Sequence, residues 1–191
     1  LGGLIHPQLV YTFWFSERPR SPASTFDLLA GRLDGVVWRV TVDSRGDPLV
    51  YDSIHACGCY HLFFPTEKVV ARELPVTLDE SLFVPQSVPA ARSGERVVLR
   101  VESGTHYLQR VLMTSEAQSA TAVVYRLEDE RTLTTLARRG GGTRSAYGQD
   151  GFIAGSERAE RWFYWPMGIE SAGQMRLLGH HPTAFVGRRH F

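Results

Sequence analysis

Between Val36 and Val42 the chain alternates: Val36, Trp38, Val40 and Val42 hold one parity, while Val37, Arg39 and Thr41 hold the other. A period of two is the spacing of side chains along one face of a β-strand, and a helix cannot satisfy it. Asp43-Ser44-Arg45-Gly46-Asp47-Pro48 follows as a cluster of turn-forming residues, and 49–54 reads as the returning strand of a hairpin. The same pattern recurs at 96–102, a Ser103-Gly104 turn, and 105–113. There Val97, Leu99 and Val101 are expected to face the core, and Arg96, Arg100 and Glu102 to face water. Leu9-Val10-Tyr11-Thr12-Phe13-Trp14-Phe15 is the densest apolar run, and its length suits a buried strand. Residues 121–127 and 182–186 are further candidate strands.

Helix signals are few. Ser24 or Thr25 is expected to cap a short helix through Phe26, Leu28, Leu29 and Leu33, with Asp27 in its first turn. A second helix is expected over 128–138, ending at Gly140-Gly141-Gly142. Residues 140–156 read as a flexible, glycine-rich surface loop, because too little chain follows to build a second core. Pro75, Pro85 and Pro89 mark an irregular stretch between the hairpins. These signals predict one mainly β domain over 1–191, a β-sandwich or partly open barrel with a few short helices.

Composition narrows the function classes. A formal net charge of +1 gives no electrostatic footing for binding nucleic acid or acidic membrane as the main task. Lys68 is the only lysine, so the basic residues are almost all arginine, but no basic patch accompanies that bias. No run approaches the roughly 18 consecutive apolar residues of a membrane-spanning helix. The chain begins at Leu1 without methionine, which leaves an upstream signal or region open. A soluble protein is expected, with a periplasmic or otherwise extracytoplasmic location favoured. Its partner is expected to be a small-molecule substrate or another protein.

The chemistry concentrates in His55-Ala56-Cys57-Gly58-Cys59-Tyr60-His61, which holds both cysteines of the chain. If the strand over 49–54 continued, His55, Cys57, Cys59 and His61 would share one face. Neighbouring members would stand about 6.6–6.8 Å apart along the strand, so two of them can meet on one ion but four cannot unless the backbone bends. Gly58 is where that bend costs least. Thiolate and imidazole together select zinc, copper or iron over magnesium or calcium. His181, beside His180, is the candidate ligand from outside the segment, with His6, His106 and His190 behind it. The expected function is therefore a metal-binding β-domain, acting as a metal-dependent oxidoreductase or hydrolase.

Other readings of the same residues stand beside it. Cys57 or Cys59 serves as a nucleophile with His55 or His61 as base and Asp52 as orienter. A Cys57–Cys59 bond would close a small, strained ring suited to thiol–disulfide exchange. Alternatively, both cysteines are buried small apolar residues. The spacing excludes haem attachment and the thioredoxin motif. A second notable stretch joins Glu157, Arg158, Glu160 and Arg161 to Trp162-Phe163-Tyr164-Trp165. It reads either as a polar pocket walled by Trp162 and Trp165 or as a salt-bridged surface turn. If the cysteines are structural, the aromatic run makes the chain a non-enzymatic binding or assembly module.

Overall fold

The computed structural model describes residues 4–56, 58–70, 83–115, 123–177 and 179–180. Strands β1 (Gln8–Arg18), β2 (Gly31–Val42), β3 (Pro48–His55) and β4 (Leu62–Pro65) form one antiparallel sheet in that order. Strands β5 (Glu95–Val101) and β6 (Leu108–Ser115) form a separate hairpin. A short ladder joins β7 (Leu136–Ala137) to β8 (Thr143–Arg144). The protein is mainly β, built of antiparallel sheets, and the sheets do not close into a barrel.

Register explains the layering. Tyr11 pairs with Trp38 and Trp38 with Ser53, while Val40 pairs with Tyr51 and Tyr51 with Phe64. Residues directly opposite share a face, so the alternation read in β2 passes across the sheet. Trp38, Tyr51 and Phe64 pack with Leu108, Val111, Val97, Leu99 and Val101 from the β5–β6 hairpin. The Trp38 and Tyr51 rings stack at 5.5 Å. This is a two-layer core with four strands on one side and two on the other.

The opposite face is covered by irregular chain. Trp14 and Leu33 pack there against Ala56, Tyr147, Ile153 and Met175. The Ser156 hydroxyl donates to the Ile153 carbonyl at 2.6 Å and accepts from the Met175 N–H at 3.1 Å. Arg158 donates to the carbonyls of Arg32 and Leu33, which fastens this segment to the start of β2.

Several sequence expectations are corrected. Residues 24–30 form turns, not a helix, and β2 already begins at Gly31. Asp27 accepts the backbone N–H groups of Ser21, Leu29 and Ala30, a local competitor to helical hydrogen bonding. The helix expected over 128–138 shrinks to a 3₁₀ turn, Glu130–Thr134, capped by Asp129. Beyond it β7 and β8 pair around the triple glycine. The expected surface loop 140–156 is exposed only in its first part, since Tyr147, Gly151, Ile153 and Ser156 are buried. Residues 123–127 are exposed and not a strand, and 121–122 lie outside the described residues. Pro75 and the candidate strand 182–186 lie outside them as well. Among the described residues no helix is long and apolar enough to cross a membrane.

Candidate functional site

The cysteine segment is a reversal, not a strand. β3 ends at His55, whose carbonyl accepts the Gly58 N–H at 2.8 Å and whose N–H donates to the Cys59 carbonyl at 3.1 Å. Gly58 takes φ +82° and Tyr60 φ +54°, and the chain returns as β4 with Leu62 opposite Ser53. The bend falls where glycine makes it cheapest. The single-face arrangement of His55, Cys57, Cys59 and His61, which required a continuous strand, is thereby corrected.

The two histidines go to different sides of the sheet. Asp52 and His55 are of opposite parity on β3 and so face opposite ways. His61 Nε2 lies 2.9 Å from Asp52 Oδ1 and 2.7 Å from an Arg39 guanidinium nitrogen, and Arg39 Nε donates to the same Asp52 oxygen at 2.6 Å. Asp52 thus lies within hydrogen-bonding distance of the His61 ring and is ion-paired with Arg39. Cys59 is half-buried. Cys57 and His181 lie outside the described residues. Among the described residues, no group of three or more His, Cys, Asp or Glu side chains is close enough to hold a metal ion.

His55 instead faces a cluster that draws on every layer of the fold. A pocket opens between Arg18 at the end of β1, Asp34 on β2, His55, Tyr60 in the reversal, and Arg158 and Glu160 ahead of the helix α1 (Arg161–Tyr164). It has about 290 Å³ of empty space, open solvent at its mouth included. That suits a ligand of few atoms entering from the mouth. Asp34 Oδ2 lies 2.6 Å from His106 Nδ1, the length of a charge-assisted hydrogen bond. The His106 ring lies flat on Phe15, centroids 3.8 Å apart and planes 5° from parallel. The Tyr107 hydroxyl donates to the Tyr60 hydroxyl at 2.6 Å. Arg18 donates to the Tyr107 oxygen at 3.4 Å and to the Thr105 carbonyl at 3.0 Å. The His55 ring meets both tyrosine rings edge-on, at 5.4 and 5.5 Å.

Backbone strain gathers here. Outside glycine, the described residues take positive φ at Leu33 (53°), Tyr60 (54°), His106 (58°) and Ser171 (46°). Tyr60 and His106 belong to the cluster, and Leu33 directly precedes Asp34. A left-handed residue with a side chain costs on the order of 1–3 kcal/mol and persists only where its surroundings enforce it. Electrostatics are also unusual. Burial pushes His55 down to about 4, only partly opposed by nearby Asp34. Burial pushes the Glu160 carboxyl up, against the opposing pull of Arg158 and Arg18. Both groups are thereby biased toward their uncharged forms.

Of the acid–arginine cluster read in the sequence, Arg158 and Glu160 do line this pocket, while Glu157 is exposed. Trp162 and Trp165 do not wall it; both point to solvent. Sequence reasoning missed the Asp34–His106 pair, although one signal was present: Asp34 has the parity of Val36 and Trp38, a carboxylate on an apolar face. No family model matches the chain, and neither the curated proteins nor the solved structures contain a significant match to it.

Proposed function

We propose that the protein is an enzyme that takes a small polar substrate into the pocket between Arg18, His55, Tyr60 and Glu160 and works by general acid–base chemistry. The observation that carries this reading is the left-handed backbone at Leu33, Tyr60 and His106, beside a pocket that Asp34 and Tyr60 line and that His106 reaches through its 2.6 Å contact with Asp34. Glycine would take the same turns without that strain, so side chains kept there at a cost support a role beyond the turn.

The roles follow from the surroundings of each group. Asp34 and Phe15 fix the His106 ring, and the His106 backbone hydrogen-bonds the His55 ring. His55, uncharged at neutral pH, offers a neutral imidazole to the substrate. Glu160, with its raised proton affinity, is the group that exchanges a proton. Arg18 polarises the Tyr107–Tyr60 hydroxyl chain, so that Tyr60 at the pocket mouth serves negative charge developing on a substrate oxygen.

A panel of small carboxylates, aldehydes, ketones and amides, screened by ligand-observed NMR and then followed for turnover, tests the reading. Glu160→Gln is expected to lower turnover by about 10²–10⁴-fold with little change in binding. Tyr60→Phe is expected to lower kcat more than it raises KM. Turnover unchanged in both variants would sink the assignment.

A second reading rests on the reversal itself. The hydrogen bond from the His55 N–H to the Cys59 carbonyl sets these residues opposite each other, with Cys57 between them in sequence. A set of His55, Cys57 and Cys59 completed from elsewhere would suit zinc, copper or iron, making the pocket edge a redox or Lewis-acid centre. Elemental analysis of the purified protein is then expected to find a transition metal, reduced about 10-fold or more in Cys59→Ser. Metal-free protein whose Cys59 alkylates freely would exclude this reading.

A further inference from the structure

The run Arg161-Trp162-Phe163-Tyr164-Trp165-Pro166-Met167-Gly168 makes one helical turn, α1, continued by a 3₁₀ turn over Trp165–Met167. Tyr164 is half-buried and Ile169 buried, which anchors the turn at its base. Around these anchors the large side chains point to water: Trp162 is 65%, Phe163 62%, Trp165 70% and Met167 68% exposed. The Leu28 carbonyl accepts the Glu160 N–H at 3.2 Å, which ties the loop carrying Phe26, itself 70% exposed, to the same base. Scattered exposed apolar residues are ordinary on protein surfaces, but four large ones within the six residues 162–167 are a concentration of the kind that marks contact surfaces.

We propose that this turn is a membrane-surface anchor that seats its tryptophans at the headgroup level of a lipid bilayer. The side-chain chemistry favours that occupant. Tryptophan is the residue type that concentrates at the membrane–water interface, and Phe163 and Met167 add apolar surface without a polar tip. The turn carries no carboxylate from residue 161 to 169, and its one charge is cationic. The Arg161 guanidinium lies 4.6 Å from the Trp162 ring centroid, so the cation is held beside the aromatic surface where an anionic headgroup would meet it. Size argues the same way. Side chains offering about 150–250 Å² each give a patch on the order of 500 Å². That falls short of the roughly 800 Å² per partner of a stable protein interface, while interfacial anchoring needs no such minimum. Glu160 directly precedes the turn, so such an anchor would hold the pocket wall close to the lipid surface. The proposal does not depend on the pocket's chemistry.

Flotation of the whole chain with vesicles tests the proposal, using phosphatidylcholine alone and phosphatidylcholine containing phosphatidylglycerol. The protein is expected to float with both, more strongly with the anionic mixture, and its tryptophan emission is expected to shift to the blue. High salt is expected to remove the difference between the two vesicles but not the binding. Because both side chains are exposed, the double variant Trp162→Ser, Trp165→Ser should keep the wild-type circular dichroism, and is expected to lose about 10-fold or more of the binding. Failure to float with either vesicle, or flotation untouched by the double variant, would overturn the proposal. So would self-association in the ultracentrifuge that the double variant abolishes without any vesicle binding, which would assign the turn to a second copy of the chain.

Discussion

His55 is the residue at which the site is coupled to the stability of the fold. Its imidazole sits under the Tyr60 and Tyr107 rings, and burial lowers its pKa from 6.5 to about 4. Above pH 6.5 the ring is neutral whether the chain is folded or not, and the full stability is present. Between 6.5 and about 4 the unfolded chain takes up a proton that the folded chain refuses, so stability falls as acid is added, by about 3 kcal/mol in total. Glu160 acts in the opposite sense. Its raised pKa stabilises the fold at low pH, and that stability is lost as pH rises through the folded value. Urea unfolding in the presence of a chelator, repeated from neutral pH to about 4.5, is therefore expected to show a loss of stability with acid that His55→Gln diminishes, leaving the opposite trend of Glu160. A variant that keeps the wild-type slope would mean that His55 is not the group refusing the proton.

At the scale of elements, what the sequence revealed divides by the range of the forces involved. The β2–β3 and β5–β6 hairpins were legible because a period-two pattern and its turn residues lie within a few positions of each other. The bend at Gly58 was legible for the same reason, since only local backbone freedom decides it. The helix expected through Leu33 fails because Asp27 gives its oxygen to nearby N–H groups, and because Gly31 and Arg32 pair with Arg18 and Glu17 of β1. The acid–arginine cluster around Arg158 and Glu160 was legible as either a pocket or a surface turn. What it did not reveal was that a helical turn starting at Arg161 rotates the tryptophans away from them. The core of the candidate site was least legible. Asp34 and His106 are 72 positions apart, and only the docking of the β5–β6 hairpin onto the sheet joins them.

That docking is the main coupling in the whole molecule. β2 and β3 are the central strands, packed on both faces; residues 34–38 and 49–56 are all buried. The β5–β6 hairpin shares no ladder with the sheet and is held by its apolar side chains and a few side-chain hydrogen bonds, and two strands alone are marginal in water. Residues 83–88 strap the two layers together. The Phe63 N–H donates to the Phe83 carbonyl at 2.8 Å, and the Val88 N–H to the Pro65 carbonyl at 3.0 Å, which holds the strap to β4. Between these points the Gln86 side chain grips β6, donating to the Val111 carbonyl at 2.9 Å and accepting the Val111 N–H at 3.2 Å. Amide exchange is thus expected to be slowest in 36–38 and 50–54, intermediate in the hairpin, and fast at the 138–142 tip. Gln86→Ala removes both grips. At about 1 kcal/mol or somewhat more for the lost hydrogen bonding, exchange in β6 around Val111 should speed up about 10-fold. The amides of β2 and β3 should keep their rates, because the grip does not reach them. Equal acceleration in both layers would mean that sheet and hairpin open only together. Asp34 and His106 would then part only on global unfolding, whereas selective acceleration in β6 would make their separation a local event.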